Sequence, residues 1–382
     1  MFNMMQVYLT LTMVIISPIV GSKELSSKRD EKSILSFFFG SPPPSRPIAV
    51  IVGSYSMKET NIVDLTGGEC QLSFPSLPDD VFGLFDSSLH LIGEKLVLCN
   101  VIKPWPQFQD YYSGFYSQFY ENDSDNQVWH RREQDDLLQY KYDLNTCIGA
   151  DRSSSAWSVL PPQLPNMATH GASVRINEKI FIIGRPVVEI DISEETVAHN
   201  EDLNLASDFY GDAGTGCAVF DEERNRILYI NYGIIMEKTP DLDTPWRFLT
   251  DQLAVRTHIG CGLVKIDSHM SLMVVGGRDR DLEAGEMTTL VEYVRLTELE
   301  NGKPRIPARM ILRHGWRPSL VQVKSDIFVL GGVESVEEFQ AGEGKYIEKW
   351  DGHHWTVLDN VMEDYSLQFE PKVEFLERSF CQ

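Results

Sequence analysis

HIGCGLVKIDSHMSLMVVGG, His258 to Gly277, decides how the chain is read. Small residues open it, and an apolar run follows to Ile266. Asp267 and Ser268 offer a tight polar turn, a second apolar run ends at Val275, and two glycines close the unit. Short runs rich in Val, Ile and Leu and bounded by turn residues are strands, so the stretch is a hairpin. Gly and Ala at the start of the first strand suit a place where strands converge and space is short. The glycine pair permits a sharp departure that a β-carbon would hinder.

Working outward, the unit recurs. HGWRPSLVQVKSDIFVLGG starts at His314, HGASVRINEKIFIIGR at His170 and GTGCAVFDEERNRILYINYG at Gly214. Two worn copies are GLFDSSLHLIGEKLVLCN from Gly83 and the second-strand stretch RPIAVIVGSY from Arg46. Third and fourth strands are expected at Thr60–Leu65 with Gln71–Leu77, and at Gln139–Leu144 with Ala156–Leu160. Further ones are expected at Pro245–Leu249, at Thr288–Val294 with Pro307–Leu312, and at Lys345–Trp350 with Trp355–Leu358. Four-stranded units at a period of about 50 residues are propeller blades, because one blade alone buries too little and neighbours must stack around an axis.

These residues resemble the Kelch repeat, the family that includes the central domain of galactose oxidase. The resemblance rests on Gly276-Gly277 and Gly331-Gly332, on Glu292 with Tyr293, and on Tyr346 with Trp350 and Trp355. In the other units the doublet has decayed to Gly53-Ser54, Cys99-Asn100, Gly184-Arg185 and Asn231-Tyr232. The resemblance implies an all-β propeller of about six four-stranded blades over residues 46–382. It also implies closure by a terminal strand. Here Lys372–Phe380 would supply the inner strand that the first unit lacks, removing exposed sheet edges.

The chain of 382 residues carries a formal charge of −22, which argues against nucleic acid or an anionic membrane surface as partner. Residues 1–22 hold no charged side chain, and Val7 to Val20 are largely apolar before Gly21-Ser22. This reads as a cleaved secretory signal and therefore an extracellular protein. Residues 23–45 form a polar, Pro-rich lead. They leave no room for the dimerisation domain by which many intracellular Kelch proteins recruit a ubiquitin ligase, and a monomer is expected.

An insertion at 101–136 interrupts the second unit and is strongly aromatic, including Trp105, Phe108, Tyr112, Phe115 and Phe119. Trp105, Tyr112 and Phe115 are candidate ligand contacts, because aromatic side chains dominate binding hot spots; packing over the disc is the competing account. Asn122-Asp123-Ser124 within it is a glycosylation sequon. In family structures such loops share a face with the loops leading into each first strand. That sharing gathers Arg278, Asp279, Arg280, His314, Trp316 and Arg317. Arginines beside a Trp in so acidic a chain could hold an acidic peptide or glycan, or form a solvated rim.

His170, His258 and His314 recur at the mouth of the first strand and read as a capping repeat rather than a metal set. No cofactor is expected. The copper site of galactose oxidase needs a Tyr crosslinked to a Cys and two further ligands, and no counterpart is legible. Asp351-Gly-His-His-Trp355 has a likeness to the aspartate box of glycosidase propellers, yet lacks its Ser and reads as a hairpin turn. No catalytic motif occurs. Six cysteines are present. Cys99 and Cys147 flank the insertion, and a disulfide between them would close its base. Cys217 and Cys261 read as small buried residues at the same inner-strand position, and Cys70 and Cys381 would share the closed blade. The reading is a secreted binding scaffold for a protein, peptide or glycan; the alternative is a secreted propeller enzyme, such as a copper oxidase or glycan-processing enzyme.

Overall fold

The computed structural model describes residues 47–54, 57–78, 81, 87–101, 120–123, 128–131, 146–161, 164, 172–184, 187–200, 215–279, 286–332, 347–358 and 372–381. All of them belong to the unit Pro42–Gln382. The expected signal and lead at 1–45, His170, Arg280, and Trp105, Tyr112 and Phe115 of the insertion lie outside the described residues.

The fold is a six-bladed β-propeller. Blade 1 runs from inside out as Lys372–Leu376, Ile48–Ser54 and Met57–Asp64. Blade 2 is Ser88–Ile92, Lys95–Cys99, Cys147–Asp151 and Ser158–Leu160. Blade 3 is Ala172–Ile176, Lys179–Ile183, Val187–Asp191 and Thr196–Asn200. Blade 4 is Cys217–Asp221, Arg226–Asn231, Ile234–Lys238 and Arg247–Thr250. Blade 5 is Gly260–Ile266, His269–Val275 and Val291–Arg295, with Arg305 bridging Tyr293 at its outer edge. Blade 6 is Ser319–Val323, Asp326–Leu330, Ile347–Trp350 and Trp355–Leu358. All pairings within blades are antiparallel.

Three expected strands fall elsewhere. The third strand of blade 2 is Cys147–Asp151, not Gln139–Leu144, which lies outside the described residues. The stretch Gln71–Leu77 joins no ladder. It lays Leu72, Phe74 and Leu77 into the core between blades 1 and 2, where Thr60 Oγ1 and Trp157 Nε1 each donate to the Pro75 carbonyl at 2.9 Å. At the outer edge of blade 5, Arg305 pairs in place of Pro307–Leu312.

Packing is blade on blade, with one hydrophobic cluster at each junction around the ring. Leu89, Leu91 and Leu376 belong to the junction of blades 1 and 2, and Ile92 with Ile180 to that of blades 2 and 3. Val174 with Ile227, Leu228 with Leu272, and Val264 with Val329 mark the next three. Ala49, Val373 and Phe375 meet Phe328 and Leu330 at the last, so the late strand Lys372–Leu376 closes the ring. Alternation along each strand sends successive side chains to opposite neighbours.

That parity explains the cysteines. Cys217 points from blade 4 toward blade 5 and Cys261 points back, so they form a disulfide across the junction. They do not share one repeat position, as the sequence pattern suggests; equivalent positions would face the same way and could not meet. Cys99 and Cys147 join neighbouring strands at the base of the insertion, and Cys70 and Cys381 join blade 1 to the segment after the closing strand. Arg378 adds an ion pair to Asp64 at 3.3 Å.

The glycine doublets adopt positive φ throughout: 59° and 92° at Gly276 and Gly277, and 80° and 82° at Gly331 and Gly332. In blade 4 the same departure is made by Tyr232 and Gly233, one residue later than the sequence alignment placed it, at 50° and 78°. Asn100 does so in blade 2 at 61°, a residue that tolerates the left-handed region.

Candidate functional site at the lead-in face

On one face each blade begins its inner strand and ends its second. A buried ion pair and a buried histidine–carboxylate contact set the geometry there, and neither pairing was singled out by the sequence. In blade 5, Arg256 is 1% exposed. Its guanidinium donates to the carbonyls of Gly276 (2.6 Å) and Leu290 (2.9 Å) and to the Glu292 carboxylate (2.6 Å). Glu292 also accepts the Ala254 backbone N–H at 3.2 Å. Burial lowers the Arg256 pKa from its ordinary value, and the charge of Glu292 pulls it back up.

Blade 6 solves the same problem with other residues. Glu348, fully buried, accepts the backbone N–H groups of Ile311 and Leu312. His314 places Nε2 at 3.2 Å from Glu348 and Nδ1 against the Gly331 carbonyl. In both blades a third-strand glutamate gathers lead-in amides, and a nitrogen-bearing side chain, Arg256 or His314, meets it while holding the first carbonyl of the glycine doublet. A buried charge is tolerated only when paired and hydrogen-bonded in this manner. The sequence signal available was a Glu at the second position of each third strand, at Val291-Glu292 and Ile347-Glu348.

His314 therefore works beneath the face, 2% exposed, and does not line it as expected of a ligand contact. Nor is it the counterpart of His258. Gly260 pairs with Val275 and Ser319 with Leu330, the last residues of their second strands. His258 thus corresponds to Arg317, two residues ahead of the inner strand, and both hold positive φ, 54° and 46°. Backbone hydrogen bonds join successive lead-ins. His258 N–H donates to the Thr215 carbonyl at 2.7 Å, and Arg317 N–H donates to the His258 carbonyl at 2.8 Å.

Above this frame two of the residues expected on this face, Arg278 and Trp316, come together, and His258 joins them. Arg278 lies over the Trp316 ring with Cζ 4.7 Å from the centroid. His258 meets the same indole edge-on at 4.5 Å. Arg317 follows Trp316 directly. Burial lowers the Arg278 pKa from its ordinary value, and an indole face supplies attraction to a cation that water no longer reaches fully. Arg278 and Asp279 are held by pairing with Thr257 and Arg256. The cluster is a cationic and aromatic surface on a rigid support, suited to an acidic or planar group.

The remaining expected sites lie apart. Tyr120–Asp123 and Val128–Arg131 form a hairpin within the insertion, with Asn122 opposite Trp129. Asp351 accepts the N–H groups of His353 and His354, both at 2.8 Å, and so caps the hairpin turn that joins the buried pair Trp350 and Trp355. Those bonds lower its pKa. No group of three or more His, Cys, Asp or Glu able to hold a metal occurs among the described residues. All six cysteines are consumed in disulfides, so none offers a sulfur for the Tyr–Cys crosslink that galactose-oxidase chemistry requires.

No protein-family model matches the chain, and no curated protein matches it by sequence. Among solved structures it is similar to that of YjhT, with a TM-score of 0.53 and 10% identity over 84% of this chain and 99% of that one. It is also similar to a fungal alcohol oxidase of the AA5 family in complex with copper, with a TM-score of 0.48 and 12% identity over 82% of this chain and 65% of that one. At such identity the likeness to YjhT is one of fold.

Proposed function

We propose that this propeller is a Kelch-like extracellular binding scaffold that captures a protein, peptide or glycan on its lead-in face. One observation carries the reading. Arg278, Trp316 and His258 converge from two blades into a cation–aromatic cluster fixed from below by the buried Arg256–Glu292 and His314–Glu348 pairs. Clustered aromatic and arginine side chains on a rigid support are what binding hot spots are made of. The extracellular setting is supported by the three disulfides, which persist in oxidising compartments. No helix among the described residues is long and apolar enough to cross a membrane.

The test compares the intact protein with an Arg278→Glu/Arg317→Glu variant of equal thermal midpoint, each immobilised and exposed to extracellular fluid and to arrays of acidic peptides and glycans. A partner held by the first and lost from the second supports the reading. Equal capture by both removes this face. Chemical conversion of a captured glycan, abolished by the same changes, would place the protein among propeller enzymes instead.

A further inference from the structure

Met287 lies under the cluster just described. It is partly exposed, while Met236, Met273 and Met310 are buried at 7%, 0% and 4%. Its backbone bridges Arg278. Asp279 N–H donates to the Glu286 carbonyl at 2.8 Å, and Thr288 N–H donates to the Gly277 carbonyl at 3.0 Å, so the segment cannot shift alone. Its side chain crosses Gly315, the residue between His314 and Trp316. A β-carbon at Gly315 would lie only 2.2 Å from Sδ and 2.3 Å from Cγ of Met287. The thioether thus fills the space beside Gly315 that the missing side chain leaves.

We infer that Met287 is an oxidation-sensitive modification site that switches the Arg278–Trp316 cluster. Hydrogen peroxide transfers one oxygen to the sulfur. Its O–O bond breaks, the sulfur loses two electrons, an S–O bond forms and water leaves. The sulfoxide is bulkier and polar where the thioether was apolar. The oxygen enters from the open side of the sulfur, and the larger, polar group no longer fits against the Gly315 backbone as the thioether did, which shifts the Gly315-Trp316 segment relative to Arg278. Gly315 is held on one side by His314, whose carbonyl accepts the Gly277 N–H at 2.7 Å, and the displacement therefore falls on Trp316. As regulation of the lead-in face, the switch rests on the proposed binding role. The chemistry and the movement of Trp316 do not.

The experiment treats the intact protein with hydrogen peroxide and follows each methionine by peptide mapping. In parallel, the Trp316 contribution to fluorescence is taken as the difference between the protein and its Trp316→Phe variant. Expected is oxidation of Met287 roughly tenfold faster than Met273, following exposure. The Trp316 signal should change at the same rate and be restored by methionine sulfoxide reductase. Met287→Leu, close in volume, should keep the starting signal throughout. Oxidation of Met287 no faster than Met273 would overturn the inference. So would complete conversion of Met287 with the Trp316 signal unmoved, or the same signal change in Met287→Leu. A working switch without any partner for the face would leave this inference standing and remove the binding role alone.

Discussion

His90 offers a sharp test of how the inner ring is held together. It stands on the inner strand of blade 2, 8% exposed. Its Nε2 lies 2.9 Å from Ser173 Oγ of blade 3, and its Nδ1 lies 3.8 Å from Glu374 on the closing strand. Arg175 donates to the Leu91 carbonyl beside it. Burial, then the Arg175 charge, lower the His90 pKa from 6.5 to about 3. A group whose folded pKa lies below its unfolded value binds fewer protons when folded. Its contribution is therefore complete above pH 6.5 and is lost as pH falls toward 3. At about 1.4 kcal/mol per pH unit, acidification from pH 6.5 to about 4.5 removes roughly 2.7 kcal/mol.

His90→Gln keeps a polar side chain and removes the titration. Urea unfolding of both proteins at about pH 7 and about pH 4.5 isolates the difference, since the carboxylates that also favour high pH, such as Asp191 and Asp351, are common to both. The variant should lose about 2 kcal/mol less than the parent on acidification. Parallel losses in the two proteins would refute the account of a neutral histidine held in the ring.

Arg256→Met should destabilise the protein by about 3–5 kcal/mol, since Glu292 would remain buried without its cation; an Arg256→Met/Glu292→Leu double variant should recover most of the loss in melting midpoint. Cys70→Ser/Cys381→Ser opens a loop of 311 residues, worth roughly 5.7 kcal/mol by chain entropy, against roughly 4 kcal/mol for the shorter Cys217–Cys261 loop. The first double variant should thus unfold at lower urea than Cys217→Ser/Cys261→Ser. Deletion of residues 371–382 should abolish soluble secretion, and an unchanged yield would rule out closure by the late strand. Gly315→Ala should lower the midpoint by displacing Met287, with Gly315→Ala/Met287→Ala partly restored.

The propeller was legible because its repeat is written in local chemistry: small residues, a tight turn, an apolar run and a glycine pair. What failed to show depends on neighbours. Gln139–Leu144 alternates polar and bulky residues as a half-buried strand does. Cys147-Ile-Gly-Ala, the actual third strand, is buried on both sides and carries no alternation to read. The Cys217–Cys261 bond hinges on which side of a sheet each residue faces, a parity that shifts with a single residue. Arg278 and Trp316 were placed on one face by what the family resemblance implies about its loops. Arg256 was missed because a lone arginine in a loop gives no sign of burial; Glu292, which buries it, arrives 36 residues later.

The innermost strand of blade 1 has a consequence for biosynthesis. Lys372–Leu376 is made after every other described strand, so a chain emerging N-terminus first carries an arc of blades and not a ring. Until it arrives, Ile48–Ser54 lacks its inner partner and the apolar faces of blades 1 and 6 that later enclose Ala49 and Phe328 have no seal. The nascent protein is thus exposed to misassociation until that strand emerges, and the Cys70–Cys381 bond can form only after that interval, marking the moment at which the ring becomes whole.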